Sequence, residues 1–275
     1  MSAQRYGKLN KLGRDLPEGL VVDSAWLERK GYYGSLRKKY VEAGWLEQPT
    51  RGVYQRPRGE LTWERVVISL QWLMQFPVSV GGRTALELQG FAHYLSMAPR
   101  EVHLYADKTL PGWVVNTPVD NYFVFHNRRR LFSKVPDSEA SPRESVDEPQ
   151  TLPGALRALP WGQWKWPLIV STPERAFLEL LDELPIEESF DQVDALAEGL
   201  STFSPRRLQK LLEDCRSIKV KRLFFFFADR HAQGWLKKLD RTRVELGKGK
   251  RVLVKGGVLD KKYQITVPKG LDAVQ

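Results

Sequence analysis

Glycines at positions 31, 34, 44 and 52 divide residues 23–55 into short pieces, and that spacing dictates what the stretch can become. Asp23 or Ser24 can cap a helix over Ala25–Lys30, which Gly31 then ends, since glycine enters the left-handed region that closes helices at little cost. The turn Gly31-Tyr32-Tyr33-Gly34 leads into a second helix, Ser35–Ala43, closed by Gly44. At about 100° per residue, Leu36, Tyr40 and Ala43 share one face of it, with Trp45 and Leu46 following as apolar anchors. Lys38 points away from that face, Ser35 and Lys39 lie on one shoulder, and Arg37 lies on the other. Residues 45–55 read as strand, turn and strand, with Pro49, Thr50, Arg51 and Gly52 at the turn. Two short helices about a tight turn, backed by a basic hairpin, form the pattern of a winged helix-turn-helix.

A unit of this kind buries one helix face and turns cations toward duplex DNA. The cations neutralise phosphate and release counterions, while one or two side chains meet base edges. The expected contacts are Tyr32, Tyr33, Ser35, Arg37, Lys38 and Lys39 on the turn and helix, and Arg51 at the hairpin tip. For the two tyrosines, packing and a phosphate contact are both left open.

Charge follows the same division. The 43 basic and 33 acidic residues leave +10, split as +5 over residues 1–56, −2 over 57–183 and +7 over 184–275. Basic ends around a slightly acidic middle imply two separate cationic surfaces with a polyanion as default partner. At 42% hydrophobic, the chain has material for a core, and its length suits two domains. The expected architecture is α+β: a winged helix-turn-helix over residues 1–58, then a larger mixed α/β domain over 59–275, with a subdivision near 136–170 left open.

Within the larger part, Thr84–Gly90 and Ser171–Leu184 read as helices, the second capped by Thr172 with Pro173 in its first turn. Val102–Tyr105 and Tyr122–Phe125 read as strands. Phe224–Phe227 look like a strand, but the helical spacing of Val220, Leu223, Phe224, Phe227 and His231 favours a buried helix. Arg251–Lys255 and Tyr263–Val267 read as strands joined through a loop opened by Gly256 and Gly257. Pro136–Pro153, acidic and proline-rich, reads as an exposed loop.

Several chemistries find no residues to carry them. The single Cys215 rules out an internal disulfide framework and a Cys-based zinc site. Phosphate-loop, nucleophile-elbow and C-x-x-C patterns are absent. Gly81-Gly82 followed by Thr84 mimics the start of a nucleotidyltransferase motif, but the paired carboxylates that should follow are missing. A metal-dependent nuclease is the rival reading, with Asp240, Asp260 and Lys262 in the order such enzymes use; that spacing arises readily in a chain with this many charges, and surface charges in a hairpin are the preferred account. No apolar run of about 18 residues is present, so neither a membrane span nor a secretory leader is expected, and the expected location is the cytoplasm. No enzyme activity, cofactor or metal is expected.

The order of segments resembles the AbiEi antitoxin family of type IV toxin-antitoxin regulators. The stretches that carry the likeness are GLVVDSAWLERKGYYGSLRKKYVEAGWLEQPTRGVYQRP (19–57), TALELQGFAHYLS (84–96), VSTPERAFLELLDELP (170–185), SPRRLQKLLEDCRSIKVKRLFFFFADRH (204–231) and LVKGGVLDKKYQITVP (253–268). The resemblance implies a repressor that binds inverted repeats at its own operon through its N-terminal domain. Its C-terminal domain would neutralise a nucleotidyltransferase-type toxin without a stable complex, in bacterial abortive infection against phage. It implies a nucleoid-associated protein, with self-association on DNA left open. Candidates for the antitoxic surface are Arg206, Arg207, Lys219, Lys221, Arg222, Lys261 and Lys262, each explained as readily by a solvated face. A stand-alone regulator without a toxin is the remaining alternative.

Overall fold

The computed structural model describes residues 3–91, 101–133 and 146–271. Its first part runs α1 (Ala3–Asp15), β1 (Val21–Asp23), α2 (Ser24–Arg29), α3 (Gly34–Glu42), β2 (Glu47–Thr50) and β3 (Val53–Gln55). Asp23 starts α2 by accepting a hydrogen bond from the Trp26 amide at 2.7 Å. Gly31 and Gly44, at φ 88° and 69°, end the two helices in the left-handed region. The three strands are antiparallel in the order β1-β3-β2. The hairpin turn is fastened to α2, because the Ser24 amide donates to the Gly52 carbonyl at 2.8 Å. α1 was not among the expected helices; its signal is the spacing of Leu9, Leu12 and Leu16, the last two fully buried.

A helix then joins this part to the rest. α4 (Trp63–Ile68) continues as a wider helical turn through Ser69–Leu73. Ser69 Oγ accepts from the Val21 amide at 2.9 Å, and the Trp26 indole donates to the Leu73 carbonyl at 2.9 Å. From the same turn the buried Gln71 amide donates to the carbonyls of Val78 (3.1 Å) and Ile169 (2.9 Å) and accepts from the Ile169 amide (2.9 Å). One hydrophobic core therefore runs through both parts.

The larger part is built on a mixed sheet of β4 (Val78–Val80), β5 (Glu101–Ala106), β6 (Tyr122–Asn127), β7 (Gln150–Leu152), β8 (Leu156–Trp161) and β9 (Trp166–Ser171), in the order β6-β5-β4-β9-β8-β7. The β4–β9 and β5–β6 pairs are parallel and the others antiparallel. α5 (Gly82–Leu88) and α6 (Pro173–Glu183) pack together, and α6 in turn packs against α8 (Pro205–Asp214) and α9 (Ile218–Arg230), with α7 (Phe190–Glu198) beside α9. The Phe177 ring on α6 meets Phe203 and Phe224 edge-on, at 6.0 and 6.4 Å between centroids. The four phenylalanines 224–227 are helical and buried, as the spacing of their neighbours requires. A hairpin of β10 (Val258–Asp260) and β11 (Ile265–Val267) closes the chain.

Three expectations need correction. Arg251–Lys255 is not a strand: the amides of Leu253 and Val254 donate to the Thr266 hydroxyl at 2.8 and 3.0 Å instead of to a ladder, and β10 forms after Gly257. The proline-rich loop gives up Gln150–Leu152 to the edge strand β7, while residues 134–145 lie outside the described residues. Thr172 stands at the N-cap of α6 with extended backbone, but its buried hydroxyl makes no capping bond.

The interior between sheet and α6 is polar at its centre. Glu179, fully buried, accepts from the Arg175 guanidinium (2.7 Å), the Ser171 hydroxyl (3.0 Å) and the Gly82 amide (3.1 Å). A methyl group at Gly81 would collide with the Glu179 carboxylate and the Tyr105 ring, so only glycine fits there. Replacing Glu179 with Ala strands the Arg175 cation in the core, and urea unfolding is expected to show a loss of about 3–5 kcal/mol.

Beside it, His103 and His126 share a hydrogen bond at 3.0 Å, His126 reaches Glu183 at 3.0 Å, and Tyr105 stacks on His126 at 4.5 Å. Burial, with the adjacent His126 adding to it, pulls the His103 imidazole down to about 4. In the unfolded chain a histidine titrates near 6.5, so between roughly 6.5 and 4 the unfolded state binds more protons and stability falls with pH. The expected fall is roughly 3 kcal/mol across that window, and a flatter profile in His103→Asn, read from urea midpoints, checks its source.

Candidate nucleic-acid interface

The outer side of α3 carries Ser35, Lys38 and Lys39, all exposed. The Lys38 side chain is 80% exposed and meets Glu42 one turn on at 3.9 Å, a surface pair that holds it loosely. Arg51 is exposed at the hairpin turn that Ser24 fastens to α2, so its position relative to α3 is fixed by the fold. Tyr33, 55% exposed, occupies the N-cap position of α3, and the Lys8 ammonium lies 5.2 Å from its ring centre.

Two of the expected contacts are turned inward. Tyr32 is buried, packs on Tyr40 at 6.2 Å and donates its hydroxyl to the Lys8 carbonyl at 3.0 Å. Burial, followed by the charge of Asp15 and the Tyr40 ring, pushes its phenol up to about 12. Arg37 donates to the carbonyls of Tyr32 at 2.8 Å and Ser24 at 3.4 Å, with its guanidinium 5.9 Å from the Tyr54 ring centre. It thus joins the inter-helix turn, the start of α2 and the hairpin. Beyond the expected set, Lys8, Lys11 and Arg14 are exposed along α1, a basic stripe whose three-residue spacing was legible.

The C-terminal candidates separate in the same way. Arg206 and Lys261 are exposed with no ion pair among the described residues. Arg207 is bound to the buried Glu174 at 2.9 Å, and Lys219 to Asp182 at 3.4 Å and the Leu184 carbonyl at 2.9 Å. Lys221 and Arg222 are buried, and Arg222 donates to the carbonyls of Leu246 (2.7 Å), Gly249 (2.7 Å) and Gln264 (3.2 Å). Lys262 pairs with Asp229. Against a burial penalty that works the other way, hydrogen bonds from Arg241, Lys262 and Tyr263 hold that carboxyl down at about 2.

The nuclease residues do local work. Asp240 accepts from the Thr242 amide (3.0 Å) and hydroxyl (2.6 Å), Asp260 from the Tyr263 amide (2.6 Å), and Lys262 faces Asp229. Among the described residues no three His, Cys, Asp or Glu side chains gather as a metal-binding group. No helix among them is long and apolar enough to cross a membrane.

A small unit of helices and a three-stranded sheet, with exposed cations on α3, is joined to a larger α+β part. The comparisons with known proteins supply the family. Residues 5–97 match the model for the transcriptional regulator AbiEi antitoxin N-terminal domain, and residues 99–268 match that for the transcriptional regulator AbiEi antitoxin of the type IV toxin-antitoxin system. The chain belongs to the AbiEi antitoxin family. Among solved structures, it is similar to the RV2827C protein from Mycobacterium tuberculosis, at a TM-score of 0.52 and 16% identity over 94% of this chain and 89% of that one. At that identity the likeness is one of fold. No curated protein matches the sequence.

Arg37 and Lys38, neighbours on one helix, are expected to behave differently in the absence of DNA. Arg37→Ala leaves two carbonyls without a charged donor and lowers stability by about 1–3 kcal/mol in urea unfolding, whereas Lys38→Ala stays within about 0.5 kcal/mol of the parent.

Proposed function

We propose that the chain represses its own toxin-antitoxin operon by binding inverted repeats through residues 1–58 as a winged helix-turn-helix. The observation that carries this reading is the exposed row Ser35, Lys38 and Lys39 on α3, flanked by Arg51 on a hairpin fastened to α2. In that reading α3 enters the major groove and Arg51 meets phosphate or the minor groove. Tyr33 contacts phosphate through its exposed hydroxyl, while Tyr32 and Arg37 hold the unit in shape. Residues 59–275 are the antitoxic part and neutralise a nucleotidyltransferase-type toxin without a stable complex, as part of abortive infection in the bacterial cytoplasm. Arg206 and Lys261 are the two of its seven sequence candidates that are exposed and have no ion pair among the described residues, which favours them as contacts.

The test uses the full-length chain. Lys38→Ala and Lys39→Ala are each expected to weaken operator binding and reduce the salt slope by about one if they meet phosphate, or to cost about 1–3 kcal/mol if they read a base. A Lys38→Glu, Lys39→Glu variant is expected to lose repression in a promoter reporter yet still protect cells from the neighbouring toxin. Retained operator affinity in that variant would overturn the assignment of α3.

A further inference from the structure

A groove of about 940 Å³ opens between α1, the C-terminal end of α3 and the chain leaving β3, lined among others by Asn10, Gly13, Arg14, Gly44, Trp45 and Arg58. Neither the outward row of α3 nor the hairpin tip contributes to it. That volume is far more than an inorganic ion needs and suits a small organic ligand. Its walls carry three guanidiniums against one carboxylate. Arg56 is already held by Glu18 at 2.9 Å, whereas Arg14 and Arg58 are exposed and have no ion pair among the described residues. Arg58 sits at φ 74°, a left-handed backbone that non-glycine residues adopt only when the surroundings impose it.

Glycines mark the groove as space kept open. Gly7 and Gly13 lie inside α1, where glycine is a poor helix former, and both line the groove. A Cβ at either would meet nothing within 4 Å, so packing against a neighbour does not require them. On the opposite wall the Trp45 ring stacks on Tyr40 at 6.3 Å and 24° yet remains 41% exposed. A flat ring beside unpaired guanidiniums is the chemistry that receives a base and its phosphates: bases stack on aromatic faces, and arginine forks match phosphate oxygens.

We propose that this groove binds a free nucleotide, with its base on Trp45 and its phosphates at Arg14 and Arg58, and that occupancy is transmitted to α3. The route is built from contacts already described. Trp45 stacks on Tyr40 inside α3, Tyr40 packs on Tyr32 at 6.2 Å, and Tyr32 fixes α1 through its hydroxyl and Arg37 through its carbonyl. A ligand that shifts Trp45 therefore acts on the seat of α3. Nucleotide binding stands by itself; only its effect on DNA rests on the repressor reading given above.

Calorimetry on the full-length protein tests it with ADP as probe and with adenosine and inorganic pyrophosphate as its parts. ADP is expected to bind one per chain, and each part at least roughly tenfold more weakly, since stacking and phosphate contacts act together. Gly13→Leu, which fills the groove from a helix position that favours leucine, and Arg14→Ala with Arg58→Ala, are each expected to weaken ADP by about tenfold or more without lowering the melting temperature. Absence of ADP binding, or binding indifferent to both variants, overturns the proposal, as does binding of a short single-stranded oligonucleotide where ADP fails. In a second arm, ADP is expected to shift operator affinity in the parent but not in Gly13→Leu. A protein that binds ADP through the groove but no operator would refute the repressor reading and leave the nucleotide site standing.

Discussion

The carboxylate of Glu179 is the point where three elements, α5, β9 and α6, are held to one another. It accepts from Gly82 at the start of α5, from Ser171 at the end of β9 and from Arg175 one turn earlier on α6. Arg175 carries the connection further, donating to the Gly154 carbonyl between β7 and β8 at 2.8 Å and lying 4.9 Å from the Phe132 ring centre. An ion pair with no access to water depends on further hydrogen bonds to its charged groups, and here the backbone of α5 and the hydroxyl of β9 supply them to the carboxylate. The cost of the buried charges fixes where two helices sit on the sheet. Gly81 follows from it, since any side chain there would take the carboxylate's place.

Much of this was legible in the sequence, though unevenly. The helices around Gly31 and the hairpin behind them were readable because glycine placement and apolar spacing are local signals. The Phe224–Phe227 helix was readable because Val220, Leu223 and His231 carry the period over several turns. Strand β7 was not, for Gln150–Leu152 is three residues of an edge whose only reason to be extended is its partner β8. The site residues divide in the same way. Lys38 and Lys39 follow from helix geometry alone. Arg37 and Arg222 are cations on helices as they are, yet their heads are spent on main-chain carbonyls, and in the case of Arg222 those carbonyls lie 24 to 42 residues away.

Part of the formal +10 is not open to a polyanion. Arg37 is turned inward and Lys221 and Arg222 are buried, whereas the charges of Arg175 and Arg128 are cancelled by Glu179 and by Asp107, the latter at 2.6 Å. Besides scattered ones such as Lys108, Arg130 and Lys165, exposed cations lie along α1 and α3 and in the segment that leads into the last hairpin. There Arg222 pins the loop that displays Lys248, Lys250 and Arg251. A buried arginine in that place converts a flexible run of basic residues into a surface of fixed shape.

Strand β4 has a consequence for inheritance. It lies between β5 and β9 in the larger sheet, pairing Ser79 with Tyr105 and Val80 with Val170, while the family division of the chain falls after it, between residues 97 and 99. A hybrid chain spliced at that division would receive a central strand from one parent and both its neighbours from the other. Register, the cavity that only Gly81 fits and the carboxylate above it would all have to agree across the join. A splice between β3 and α4, at residues 56–62, cuts no ladder, so a hybrid joined there keeps each described sheet whole.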